Sequence, residues 1–236
     1  MVMITGKYCF VQFSETMTGC EVPLPVRNLS DLRFFFDTSI TNLNVDVVSI
    51  NGAMLREFVH SFNYFATGLD LGVFMNPGRC FRLKLTNKTT NEVYYSNVFM
   101  YLPNCGYPLL KYWCSKDEFG FHYEPSRMNW IRLPLILDKP NYNENKTEYT
   151  DSNGKTRILH ADIRKKYRLQ TDYMPESMHD KLKIALSHDL VTFNDVEYVE
   201  TGSYKILEEI FDYDCVEGYM GETEVAVNFV ERNTNC

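Results

Sequence analysis

Long apolar runs, tightly spaced metal ligands, surplus cations and tryptophan are all scarce in this chain. No stretch reaches the ~20 apolar residues of a membrane-spanning helix. The start, MVMITGKYCFVQF, lacks a cationic segment followed by an apolar core and a small-residue cleavage site. The expectation is a soluble, unexported chain with no membrane partner. A formal charge of −7 argues against a nucleic-acid surface, because such binding depends on Lys and Arg displacing counterions from phosphate. Seven cysteines (Cys9, Cys20, Cys80, Cys105, Cys114, Cys215 and Cys236) stand at irregular spacings. An odd, scattered set suits reduced thiols in a cytosol better than a disulfide framework. There is no phosphate-cradling glycine loop, nucleophile elbow or paired-histidine zinc helix, so neither a cofactor nor a catalytic site is expected.

What the chain does have is β patterning. From Arg157 to Tyr173, Leu159, Ala161, Ile163, Tyr167, Leu169 and Tyr173 occupy odd positions. His160, Asp162, Arg164, Lys166, Arg168, Gln170 and Asp172 fill the even ones. Side chains alternate across a strand, so this spacing predicts a long strand with one buried face. With 236 residues, 44% of them apolar, and with 16 Tyr and 16 Phe, the chain can build real cores and aromatic contact surfaces. We expect a mainly β protein of two β-sandwich-like units. Residues 1–124 form an N-terminal β domain with an aromatic connector, and residues 125–236 a C-terminal β-sandwich domain.

In the first unit, alternation predicts short strands over Tyr8–Phe13 and Leu32–Phe36 and another over Asn42–Ile50, closed by the hairpin pair Asn51-Gly52. Arg79–Thr86 is a further strand, and the polar turn Asn87–Asn91 leads into a two-sidedly apolar strand over Glu92–Tyr101. Pro103–Pro125, rich in aromatics with poor periodicity, reads as the crossover. The second unit opens with a strand over Met128–Leu137, where Pro134 removes a ladder donor. Residues 138–156 are polar and close on Asn153-Gly154, which suits an arm projecting from the body. A helix is predicted over 175–188, begun by Pro175 and Glu176 with Met178, Leu182, Ala185 and Leu186 at helical spacing. A hairpin at Asn194-Asp195 and a closing strand through Val225, Val227 and Phe229 complete the reading.

Candidate chemistry is thin. Ser187-His188-Asp189 names the members of a triad, but adjacent residues at a helix end do not converge. Asp212-Tyr-Asp214 begins like a calcium loop, then fails at Val216, Gly218 and Thr223. Cys105, Cys114 and His122 lack zinc-ligand spacing, and His60, His160 and His179 are isolated. The halves about Glu124 carry −1 and −6. The late acidic cluster over 208–224 reads as a solvated face, with a cation or basic-partner site as its alternative.

One resemblance reaches further. Arg132-Leu133-Pro134, Lys139-Pro140, Ser152-Asn153-Gly154, Leu169-Gln170-Thr171-Asp172-Tyr173-Met174-Pro175, Ala185-Leu186-Ser187-His188-Asp189 and Phe229-Val230-Glu231-Arg232-Asn233, with the looser Cys80-Phe81-Arg82-Leu83 and Tyr95-Ser96-Asn97, resemble a sequence type of crAss-like and other Bacteroidales tailed bacteriophages. That resemblance implies a non-enzymatic virion structural protein, a ring layer of the neck or tail joining portal to tail. Its implied partners are copies of itself and neighbouring neck, tail or portal proteins. Its implied setting is the virion, with assembly in the host cytoplasm. The alternative is a carbohydrate-binding or glycan-processing β-sandwich protein, which the scarcity of tryptophan (Trp113 and Trp130) weakens.

Overall fold

Strand patterning dominates the molecule, and the result is a mainly β fold which, among the described residues, has two principal sheets and one α-helix in the C-terminal part. The computed structural model describes residues 9–17, 21–35, 43–59, 64–65, 70–115, 128–213 and 216–227. Phe36, His60, His122, Asp214, Phe229, the 229–233 motif and Cys20, Cys215 and Cys236 lie outside the described residues.

The first part contains β1 (Phe13–Ser14), β2 (Leu24–Val26), β3 (Phe34–Phe35), β4 (Leu43–Ser49), β5 (Met54–Val59), β6 (Tyr64–Phe65), β7 (Cys80–Asn87), β8 (Val93–Ser96) and β9 (Phe99–Tyr101). Seven of these make one sheet in the order β1-β8-β7-β4-β5, with β9 also on β7 and β2 parallel to β9. β3 and β6 pair separately. The β4–β5 turn uses Gly52 at φ +82°, a left-handed conformation that favours glycine. Val45 and Val47 point into the core with Phe81, Leu83 and Leu85, all fully buried.

Two expectations need correction here. Residues 9–12 are not strand. Cys9, Phe10 and Val11 are all buried, so this segment lies inside the molecule with both faces covered and has no solvent face to alternate with. Glu92–Tyr101 is two strands rather than one. The chain breaks at Asn97-Val98, where side chains take over the ladder: Leu83 N–H donates to Ser96 Oγ at 2.8 Å and Arg82 Nη1 to Ser96 O at 2.6 Å.

The remaining elements are β10 (Leu109–Trp113), β11 (Asn129–Arg132), β12 (Leu135–Leu137), β13 (Asn141–Thr150), β14 (Thr156–Thr171), α1 (Glu176–Leu186), β15 (Leu190–Phe193), β16 (Val196–Glu200), β17 (Lys205–Tyr213) and β18 (Val216–Val227). They build an antiparallel sheet in the order β11-β10-β15-β16-β18-β14-β12, with β13 on β14 and β17 on β18. The supposed crossover therefore contains a central strand, β10, whose five residues were too few to reveal that Leu110 and Tyr112 point inward. Met128–Leu137 is split at Leu133-Pro134, as the missing proline N–H requires. The acidic stretch is a long hairpin, β17–β18, rather than a turn before a short closing strand. Asn194 (φ 50°) and Asp195 (φ 67°) turn β15 into β16 as their residue types predict.

The buried side chains of both sheets form one contiguous core. Phe10 meets Tyr112 edge-on at 6.0 Å. The Arg132 guanidinium pairs with Asp31 at 3.0 Å, both side chains buried. Trp130 Nε1–H donates to Ser30 O at 2.8 Å.

Candidate interaction surface

β14 behaves as two strands joined end to end. From Lys166 to Gln170 it pairs with β18, and Leu135–Leu137 of β12 covers Leu169–Thr171 from the other side. Here the sequence alternation has its predicted effect: Leu169 and Thr171 are buried, and Tyr167 packs edge-on against Tyr198 at 5.7 Å. Even positions form a solvent ladder in which Lys166 pairs with Glu224 and Arg168 with Glu222.

Beyond Lys166, towards the N-terminal end of β14, the only partner among the described residues is β13, all ten residues of which are exposed. The expected buried face is absent from this half: Leu159 is 66% exposed, Ile158 56% and Ile163 48%. Among the described residues, β18 pairs with β14 from Lys166 to Gln170, and none of them covers the outer half. Asp151 closes the ribbon by accepting from Asn153 N and Lys155 N, both at 3.0 Å, with Gly154 at φ +77°.

The register separates the two faces of this ribbon. Cross-strand partners share a face, so Tyr142 lies with Lys165, Glu144 with Ile163, and Lys146 with Ala161. Between Thr147 and Glu148 the register slips by one residue, leaving Leu159 unpaired and placing Ile158 opposite Glu148. That bulge moves Ile158 onto the face that already holds Tyr142, Ala161 and Ile163. The other face presents Asn141, Asn143, Asn145, Thr147 and Tyr149 with Arg157, Arg164 and Lys166. One face of the ribbon thus sets Tyr142, Ile158, Ala161 and Ile163 among Glu144, Lys146, Glu148 and Lys165, and no described residue covers it.

The other sequence candidates do not assemble into chemistry. Ser187 Oγ donates to Lys183 O at 3.0 Å, and His188 Nδ1 donates to Ile184 O at 2.8 Å. Asp189 accepts from the backbone and hydroxyl of Ser115 instead. Each member of the apparent triad is committed elsewhere. Asp212 stands opposite Glu217 across the β17–β18 hairpin. Among the described residues no three His, Cys, Asp or Glu side chains converge as a metal site. Cys9, Cys80, Cys105 and Cys114 are free thiols, and burial pushes the Cys9 thiol up to about 11. No helix among the described residues is long and apolar enough to cross a membrane.

Sequence reasoning missed two features. His179, read as isolated, is buried in a polar chain under α1. Its Nε2 donates to Tyr219 O at 2.9 Å, which leaves Nδ1 to accept from Tyr204 Oη at 2.6 Å. Burial holds the imidazole below its usual pKa and raises the Tyr204 hydroxyl, which also bonds Thr171. Thr171 Oγ1 in turn accepts from Gly221 N at 2.7 Å. The second is a cleft of about 250 Å³ between α1 and the first sheet, lined by Glu21, Val22, Leu24, Asn97, Met178 and Lys181 among others. Both join residues far apart in sequence, so no local motif announces them. In comparisons with known proteins, the chain matches no family model, no curated protein and no solved structure.

Proposed function

We propose that the chain is a non-enzymatic virion structural protein that assembles as a ring layer in the neck or tail of a tailed bacteriophage, between portal and tail. The observation that carries this reading is the β13–β14 ribbon, whose face bearing Tyr142, Ile158, Ala161 and Ile163 is exposed and uncovered among the described residues. Exposed apolar patches of this kind mark association sites, and closed head-to-tail symmetry would seat the ribbon of every copy on its neighbour. The sequence resemblance supplies the phage setting. The glycan reading lacks comparable support: the Trp130 ring is held by Arg33 at 4.6 Å and Lys111 at 5.1 Å, and the exposed Tyr142 and Tyr149 lie on opposite ribbon faces.

The test removes the ribbon without touching the body. Replacing residues 144–163 by an Asn-Gly turn keeps Asn141–Asn143 paired with Arg164–Lys166. The variant should fold cooperatively and fail to enter particles. Washed wild-type particles should contain the chain in a fixed ratio to portal. Its absence from those particles, with abundant protein in infected-cell lysate, would overturn the proposal.

A further inference from the structure

The cleft between α1 and the first sheet is rich in unused donors. Among the described residues, no hydrogen bond or ion pair holds the half-buried Lys181 ammonium. Asn97 and Ser177 also line the cleft. Asn97 spends its Oδ1 on Gln12 N at 3.1 Å, while its Nδ2 and the Ser177 hydroxyl have no partner among the described residues.

Charge bookkeeping decides what this site would accept. Among the described lining residues Glu21 is the one carboxylate, and it already has partners: Arg82 Nη1 lies 3.3 Å from Oε1, and Val98 N donates to Oε2 at 2.7 Å. Cys9, which interacts electrostatically with Lys181, is an un-ionised thiol at neutral pH. Glu21 acts electrostatically on Lys181 as well as on Arg82, so one carboxylate faces two cations and leaves a net single positive charge among these groups in a partly desolvated cleft, where ion pairing is stronger than in water. Glu21 disfavours a second negative charge on any occupant. The other walls, Val22, Leu24, Pro175 and Met178, are apolar.

We propose that this cleft binds a monocarboxylate on a short aliphatic stem, with the carboxylate on Lys181 and the stem against Val22, Leu24 and Met178. A dianionic phosphate does not fit this charge balance, and an amine would meet Lys181. The same chemistry is offered by a free aliphatic acid and by a glutamate side chain of another polypeptide. The inference is independent of the assembly reading.

The experiment titrates the full-length chain with hexanoate, hexanol and the capped dipeptide acetyl-Val-Glu-amide, following the Asn97 side-chain amide and the Met178 methyl by NMR. Hexanoate or the dipeptide should bind at least about tenfold more tightly than hexanol, roughly 1.4 kcal/mol. Lys181→Met should erase that difference and Lys181→Arg restore part of it. Stronger binding of hexanoate assigns the site to a free acid, and stronger binding of the dipeptide to a polypeptide partner. Equal binding of hexanoate and hexanol by the wild-type chain, or no response at Asn97 and Met178, overturns the proposal without reliance on any variant.

Discussion

The inner and outer halves of β14 carry nearly the same alternation and meet opposite fates. Leu169 is 1% exposed and Leu159 66%, though both occupy odd positions of one unbroken strand. Alternation specifies which side chains share a face. It does not specify whether another layer lies against that face. What separates the halves is described neighbours: β18, β12 and Tyr198 on one side of Lys166, and among the described residues β13 alone on the other.

The comparison breaks most sharply under truncation. Leu169→Ala should cost about 2–5 kcal/mol, because it opens a cavity in a packed layer, whereas Leu159→Ala should stay within about 0.5 kcal/mol. Equal shifts in urea midpoint would show that the outer half is covered after all. Next in size is Gly221→Ala, on the β18 segment facing the inner half. Its Cβ would stand 2.8 Å from His179 Nδ1 and collide with the Tyr204 hydroxyl, so overpacking should cost about 1–3 kcal/mol in thermal or urea unfolding.

Acid provides a smaller, graded test of the same inner region. Burial lowers the His179 pKa in the folded state, so the unfolded chain binds the proton first as pH falls below about 6.5. Stability contributed by the neutral imidazole is complete above the unfolded pKa and declines as pH drops towards the folded one. His179→Asn should flatten that part of the stability–pH curve. An unchanged slope would remove His179 as the cause. The least perturbing test is amide hydrogen exchange: ribbon pairs such as Asn143–Arg164 should exchange well before Tyr167–Val225, since ladder bonds open to solvent protect least. Uniform protection along β14 would erase the distinction.

These residues also show how much was legible beforehand. Strand identity at β4, β7 and β14, the helix at Glu176–Leu186 and the turns at Gly52, Gly154 and Asn194-Asp195 followed from period and turn chemistry, which are local. The exposure of Ile158 and Leu159, the inward placement of β10 and the His179–Tyr204–Thr171 chain were not legible, because each depends on a partner distant in sequence. The bulge at Leu159 is the sharpest case. An apparent departure from strict alternation at Ile158 is offset by a one-residue slip that only the paired strands reveal.

The buried Asp31–Arg132 pair carries a consequence for synthesis. Its members are separated by 101 positions, and an isolated charge cannot be buried cheaply. At ribosomal rates of about 5–20 residues per second, Asp31 waits roughly 5–20 s for its guanidinium to be made. Through that interval the early strands cannot close over the aspartate, and the nascent chain offers its unfinished apolar edges to whatever chaperone or sister polypeptide is nearby. Slowing elongation between codons 31 and 132 should therefore lower the folded yield more than the same delay imposed after codon 171.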